Sequence, residues 1–249
     1  MDSAGGGRWI AHGRPRAKAA HRLFCFPCAG GGASSYRRWS EFFGEDVEIC
    51  PVQLPGRETR LEEACITDLH ELTEEIGRGL EPLLDRPFSL FGHSLGGLIA
   101  FELARDLRNH GVGPDFLFVA GTPAPHLPRT RPPLHQLPEA DLRDYLIALD
   151  GTPKAVLDQE WLLEMHLPIL RADMGLLETY VYGRDAALPC PIGAFFGLSD
   201  PQVSADEVGA WQEHTSATFE AHGLTGTHFF PRESPEQLIA LLRARIEEG

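Results

Sequence analysis

The sequence predicts an α/β protein with a mostly parallel central sheet, helices on both faces and one inserted helical segment. Three observations predict it. Short apolar runs alternate with helical patterns; the runs are apolar throughout, as in strands buried on both faces; and the rhythm is broken once, by roughly seventy residues between "FVAG" and "CPIGAFFG". A chain of 249 residues, 43% hydrophobic and 23% charged, suits one large domain over residues 1–249 better than two small ones.

The elements follow in chain order. The first 22 residues, glycine-rich with five basic side chains against Asp2, read as a flexible arm over residues 1–20. "RLFCFP" and "VEICPVQ" read as strands flanking a short helix near "SYRRWSEFF". "TDLHELTEEIGRGLEPLL" places Leu69, Leu72, Ile76, Leu80 and Leu83 on one helix face. "FSLFG" is a buried strand, "GLIAFELARDLRNHG" a helix ending at Gly111, and "DFLFVAG" and "PIGAFFG" are further buried strands. "ATFEAH" is strand-like, and the last helix opens at Ser234 with Pro235 in first position and Gln237 completing a capping box.

The break in rhythm is too long for a simple crossover, where connections take about 2–6 residues. It opens with prolines ("TPAPHLPRTRPPLHQLP") and continues with three helical stretches, "EADLRDYLIAL", "AVLDQEWLLEM" and "PILRADMGLLETYVY". Residues 126–185 are read as an inserted helical lid over the sheet's C-terminal edge. Leu142, Leu146, Trp161, Leu162, Leu167 and Leu170 supply its apolar contacts, and Met174, Leu177 and Tyr180 are candidates to border a pocket beneath it.

Composition removes several function classes. A formal charge of -14 argues against nucleic acid, whose phosphates need a basic surface. No stretch approaches the ~20 apolar residues of a membrane span, and the start of the chain lacks the apolar core of a secretory signal, so the expected location is cytoplasmic. Five cysteines do not form a disulfide framework; Cys25 and Cys28 ("CFPC") resemble a redox or zinc half-site, but there is no second C-x-x-C and Cys25 lies in an apolar strand pattern.

Chemistry points to "FGHSLGG". Ser94 stands between Gly92 and Gly96, after a strand and before a helix, which is the arrangement of a nucleophile elbow: a tight, strained turn that exposes the hydroxyl at the sheet's edge. A serine hydroxyl needs a base, and the base an orienting acid, in the order Ser, Asp or Glu, His. Asp200 follows the strand "PIGAFFGLS", with Asp206 or Glu207 as alternatives; His228 lies in the loop "GTHFF", with His222 and His214 as rivals. His93 neighbours the serine, but its side chain leaves the elbow in another direction. Acyl transfer also needs backbone N–H groups aimed at a developing oxyanion. Leu95, the residue after the nucleophile at a helix N-terminus, is one expected donor, and Ala29 in the glycine-rich turn "FPCAGGGASSY" is the other.

Taken together, "FPCAGGGASSYRRW", "VQLPGRETRLEE", "FGHSLGGLIAFELARDL", "LPILRADMGLLETY", "GLSDPQV" and "GTHFF" resemble, in order and spacing, the type II thioesterases, free-standing α/β-hydrolases that accompany modular polyketide and nonribosomal peptide synthases. The resemblance implies the α/β-hydrolase fold, a helical lid, and a triad of Ser94, Asp200 and His228. It also implies hydrolysis of acyl groups from the phosphopantetheine arm of acyl or peptidyl carrier proteins, clearing aberrant or stalled chains. Leu95, Gly97 and Cys28 depart from residues common in relatives. No metal or dissociable cofactor is needed for this chemistry. Because carrier proteins are usually acidic, as is this chain, docking is expected on a local patch, with Arg37, Arg38, Arg129 and Arg131 as candidates, and a monomer is expected. The same triad also serves a small-molecule carboxylesterase, a lipase or an acyltransferase, and a silent binding module for acyl carriers is the non-enzymatic alternative.

Overall fold

The computed structural model describes residues 7–129, 132–149 and 159–248. Its centre is a six-stranded sheet of β1 (His21–Phe26), β2 (Val47–Pro51), β3 (Phe88–His93), β4 (Phe116–Ala120), β5 (Ile192–Gly197) and β6 (Phe219–Leu224). The spatial order is β2-β1-β3-β4-β5-β6, every neighbouring pair parallel, with a single antiparallel bridge from Ile10 to Val52 at one edge. The strand order reverses between β1 and β3, so the chain leaves those two strands in opposite directions and opens a crevice at their C-terminal ends.

Strand periodicity divides the side chains between two cores. Phe24 and Phe26 of β1 join Leu90, Leu117, Val119 and Ala194 on one face; Leu23 and Cys25 join Phe91, Phe118 and Phe195 on the other. The first face is covered by α1 (Leu69–Leu80), whose Leu69, Leu72, Ile76 and Leu80 are buried as their spacing requires, and by α2 (Leu95–Asn109). Asp68 caps α1 by accepting from the Glu71 N–H at 2.9 Å. The second face receives the final helix through Leu238, Ile239, Leu242 and Ile246, together with Tyr36, Trp39 and Phe43. The "SYRRWSEFF" stretch forms two 3-10 turns, Ala33–Tyr36 and Trp39–Glu41, in place of one short helix.

From Gly7 onward the expected arm is part of the fold. Trp9 is 4% exposed in the first core, with the Arg60 guanidinium stacked 4.1 Å from its ring centroid, and the Gln53 N–H donates to Trp9 O. The arm's apolar Trp and Ile, set among glycines and arginines, are what tie it down.

The insertion contains α3 (Glu139–Leu149) and α4 (Glu160–Thr179), a continuous 20-residue helix. The two stretches read as separate helices across Pro168 are therefore one; residues 155–158 of the first lie outside the described residues. A proline removes one backbone donor, and here its ring faces solvent while Leu163, Leu167, Ile169 and Leu170 around it are buried, so packing of the apolar stripe holds the helix through it. Leu142, Leu146, Leu163, Leu167, Leu170 and Met174 form the insertion's own small core. Leu163 occupies the buried place expected for Leu162, and Trp161, expected to pack, is 58% exposed. Two short helices, α5 (Ala205–Gly209) and α6 (Phe230–Glu233), precede α7 (Pro235–Glu248). No helix among the described residues is long and apolar enough to cross a membrane.

Candidate active site

Ser94 sits at the cap position of α2 yet its side chain caps nothing. Its backbone is forced to φ +55°, ψ -115°, outside the region that L-residues favour. The turn is held from both sides. The Ser94 N–H donates to Ala120 O at 2.8 Å, continuing the β3–β4 ladder into the elbow, and the Thr122 hydroxyl lies 2.9 Å from Ser94 O. There is no room for side chains at the two flanking glycines: a Cβ on Gly92 would meet Gly96 O at 2.0 Å, and one on Gly96 would meet Phe26 O at 2.1 Å. The second contact shows how closely α2 approaches the end of β1.

Asp200 follows β5 and His228 follows β6, and the two meet. His228 Nδ1 lies 2.8 Å from Asp200 Oδ2, with side chains 7% and 0% exposed. The other carboxylate oxygen accepts from the N–H groups of Gln202 (2.7 Å) and Val203 (3.2 Å). Burial alone would raise the Asp200 pKa, but the His228 hydrogen bond, the imidazole's charge and the two amides outweigh it and hold the carboxyl below its usual value. Asp200 is thereby kept as an acceptor for one tautomer of His228.

Ser94, His228 and Ala29 line one cavity of about 620 Å3. Among the described residues no hydrogen bond joins the Ser94 hydroxyl to His228, an openness common in free enzymes. Ala29 stands in the turn after β1; Leu95 is the first residue of α2, where N–H groups have no intrahelical acceptor. Roofing the cavity are residues of the insertion, among them Leu146, His166, Leu170, Met174, Leu177 and Tyr180.

The alternatives fall away from this cluster. His222 lies on β6, stacked on Phe195 and 3.2 Å from Glu220. His214 is buried against His126, and burial with that neighbour lowers its pKa to about 4. Asp206 is in α5, and Glu207 reaches the cavity wall but is engaged in a capping box with Ser204. Cys28 lines the cavity with its thiol pushed up to about 11 by burial and by Asp173, which keeps it protonated and a poor nucleophile. Of the basic candidates, Arg129 is at the cavity, Arg37 and Arg38 are exposed with Arg38 beside Glu41 at 3.4 Å, and Arg131 lies outside the described residues.

One contributor went unassigned in the sequence. His93 does turn away from the cavity, but toward His228: its Nε2–H donates to the His228 backbone carbonyl at 2.8 Å, and the two rings lie 5.2 Å apart. Burial and the adjacent His228 lower the His93 pKa to about 3, so it stays neutral and a fixed donor. The only sequence signal was its position beside the serine.

The Thioesterase domain family model matches residues 21–246. The structure superposes on the type II thioesterase BorB from the borrelidin biosynthetic cluster with a TM-score of 0.89, at 35% identity over 98% of this chain and 99% of that one. The chain is a type II thioesterase. Like others of this family it has relatives named for peptide antibiotics. It is 42% identical to linear gramicidin dehydrogenase LgrE of Brevibacillus parabrevis (96% of this chain, 93% of that one) and 40% identical to gramicidin S biosynthesis protein GrsT of Aneurinibacillus migulanus (94% and 92%).

Proposed function

We propose that this thioesterase releases acyl groups from the phosphopantetheine arm of acyl or peptidyl carrier proteins, through Ser94, His228 and Asp200. The observation that carries the reading is a serine hydroxyl free of any capping role, on a strained turn, in the same cavity as an imidazole whose far nitrogen is bound to a buried carboxylate. His228 Nε2 takes the Ser94 proton as Oγ attacks the thioester carbonyl. The tetrahedral oxyanion accepts hydrogen bonds from the Ala29 and Leu95 N–H groups. Collapse breaks the C–S bond, and the imidazolium returns its proton to the departing thiolate. Water, deprotonated by the same imidazole, then hydrolyses the acyl-serine and regenerates the hydroxyl. Asp200 holds the tautomer throughout and stabilises the imidazolium.

A thiol-terminated arm suits the geometry: the cavity of about 620 Å3 is lined by apolar side chains of the insertion and by Arg129. The relation to GrsT and BorB, both named for biosynthetic pathways, supports an editing role that clears aberrant or stalled chains in the cytoplasm. The test is deacylation of carrier proteins bearing acetyl, propionyl and longer groups, followed by intact mass beside Ser94→Ala. Fast release that depends on Ser94 is the expected result; inert carriers with rapid cleavage of free esters would overturn the carrier assignment.

A further inference from the structure

Two stretches of the sequence, "PGR" after β2 and "LRAD" in α4, have no part in the chemistry above, yet they meet beside it. Arg57 and Asp173 form a two-pronged pair, Nη2 to Oδ1 at 2.8 Å and Nη1 to Oδ2 at 2.5 Å, with side chains 6% and 1% exposed. Asp173 Oδ2 also accepts from the Gly30 N–H at 2.7 Å. Arg57 Nη1 donates to Gly31 O at 3.3 Å, and its Nε to Pro55 O at 3.2 Å. One carboxylate on the insertion and one guanidinium on the sheet side thus grip consecutive residues of the glycine-rich turn.

The helix also lies directly on that turn. Gly30 has φ +71°, and a Cβ there would stand 2.7 Å from Leu170 Cδ2 and 2.9 Å from His166 Nε2, both in α4. A side chain at Gly30 would be strained by its positive φ and would push the Leu170 and His166 side chains off the turn. The neighbouring Ala29 N–H, by contrast, has no acceptor among the described residues. The Ala29 N–H lies in the Cys28–Ala29 peptide plane, whose carbonyl accepts from the Gly31 N–H at 2.9 Å, so gripping Gly30 by its N–H and Gly31 by its O anchors the turn that orients this plane.

Burying two charges is a poor route to stability, since desolvation offsets most of their attraction. A fully buried, bidentate pair does specify geometry. We propose that Asp173 and Arg57 are positioning residues which lock the Ala29 oxyanion donor, so that the turn is catalytically set only while α4 is seated upon it. The inference rests on the reading of Ala29 and Ser94 given above.

The test is Asp173→Asn, with Arg57→Gln/Asp173→Asn as a second variant that leaves no unpaired charge should the first fail to fold. Steady-state rates on an acyl carrier protein are compared with binding of an alkyl boronic acid, which forms a tetrahedral adduct on Ser94, and of a non-hydrolysable ether analogue of the substrate. In a folded variant, kcat and boronate affinity are expected to fall together by about 100-fold, with KM and ether affinity within about threefold of the parent. Parental kcat, or a loss confined to KM, overturns the proposal. Turnover retained by Ser94→Ala would instead remove the serine reading on which it stands, so the two failures are distinguishable.

Discussion

His93 donates from Nε2 to the backbone carbonyl of His228 at 2.8 Å, so the residue before the serine holds in place the residue proposed to deprotonate it. Replacing His93 with leucine should leave that buried carbonyl without a partner, lowering stability by about 1–3 kcal/mol and kcat about tenfold or more at nearly constant KM. His93→Gln, whose amide nitrogen reaches a similar place, should recover most of both. Equal activity in the leucine variant would show that the contact is incidental.

Acid should weaken the fold well above the carboxylate range. His93 and His214 are lowered to about 3 and about 4, in each case first by burial, and burial also lowers His21 and His166. Above the ordinary histidine value of 6.5 both folded and unfolded chains hold these rings neutral. As pH falls below it, the unfolded chain takes up protons that the native state refuses, so stability declines from there towards pH 4. Urea midpoints at pH 7.5, 6 and 5 should fall in that order, and the slope should be shallower in His93→Gln; a flat series would contradict the account.

Ser94→Ala should abolish turnover by several orders of magnitude while leaving the fold intact, since the hydroxyl caps nothing. Ser94→Gly should do the same and raise the melting temperature, because glycine accepts φ +55° without the strain of about 1–3 kcal/mol that serine bears there. A glycine variant less stable than the alanine variant would argue that the backbone is relaxed as it stands.

The departure at Gly97 has a visible partner. A Cβ at this position would meet Thr122 Oγ1 at 2.2 Å and Thr122 Cβ at 2.9 Å. Gly97→Ala should therefore cost about 1–3 kcal/mol, and Thr122→Ala should return part of it in a double-mutant cycle read by thermal melts. Additive effects would mean that the two sites do not share this space.

Trp9→Ala should remove about 3–5 kcal/mol, as expected for a buried indole, although the residue belongs to a segment whose composition suggests a loose arm. Urea unfolding followed by circular dichroism decides it; a change within 0.5 kcal/mol, the size of an ordinary surface effect, would restore the arm.

What could be read in the sequence, and what could not, divides by range. The strands, α1, α2 and the elbow were legible because period and turn chemistry act over a few residues, and Asp200 and His228 followed because a parallel sheet delivers successive strand ends to one edge. Pro168 misled for the opposite reason: local propensity breaks a helix there, and only the packing of Leu163, Leu167 and Leu170 against the rest of the insertion overrules it. The direction of the His93 ring and the meeting of Arg57 with Asp173, 116 residues apart, depend on tertiary placement, which no spacing in the chain encodes.

The adjacency of β1 and β3 has a consequence for how such an enzyme can diversify. Their registers pair Cys25 with Phe91 and Phe26 with Gly92, so the two chain segments that carry Ala29 and Ser94 leave neighbouring strands. Their separation starts from the fixed interstrand repeat of about 4.8 Å, which no substitution alters. The two strand ends from which the proposed reaction centre is built thus keep a constant gauge. Variation in the acyl group accepted has to be written in the helices above it, where Leu146, Met174 and Leu177 can change size without moving the gauge.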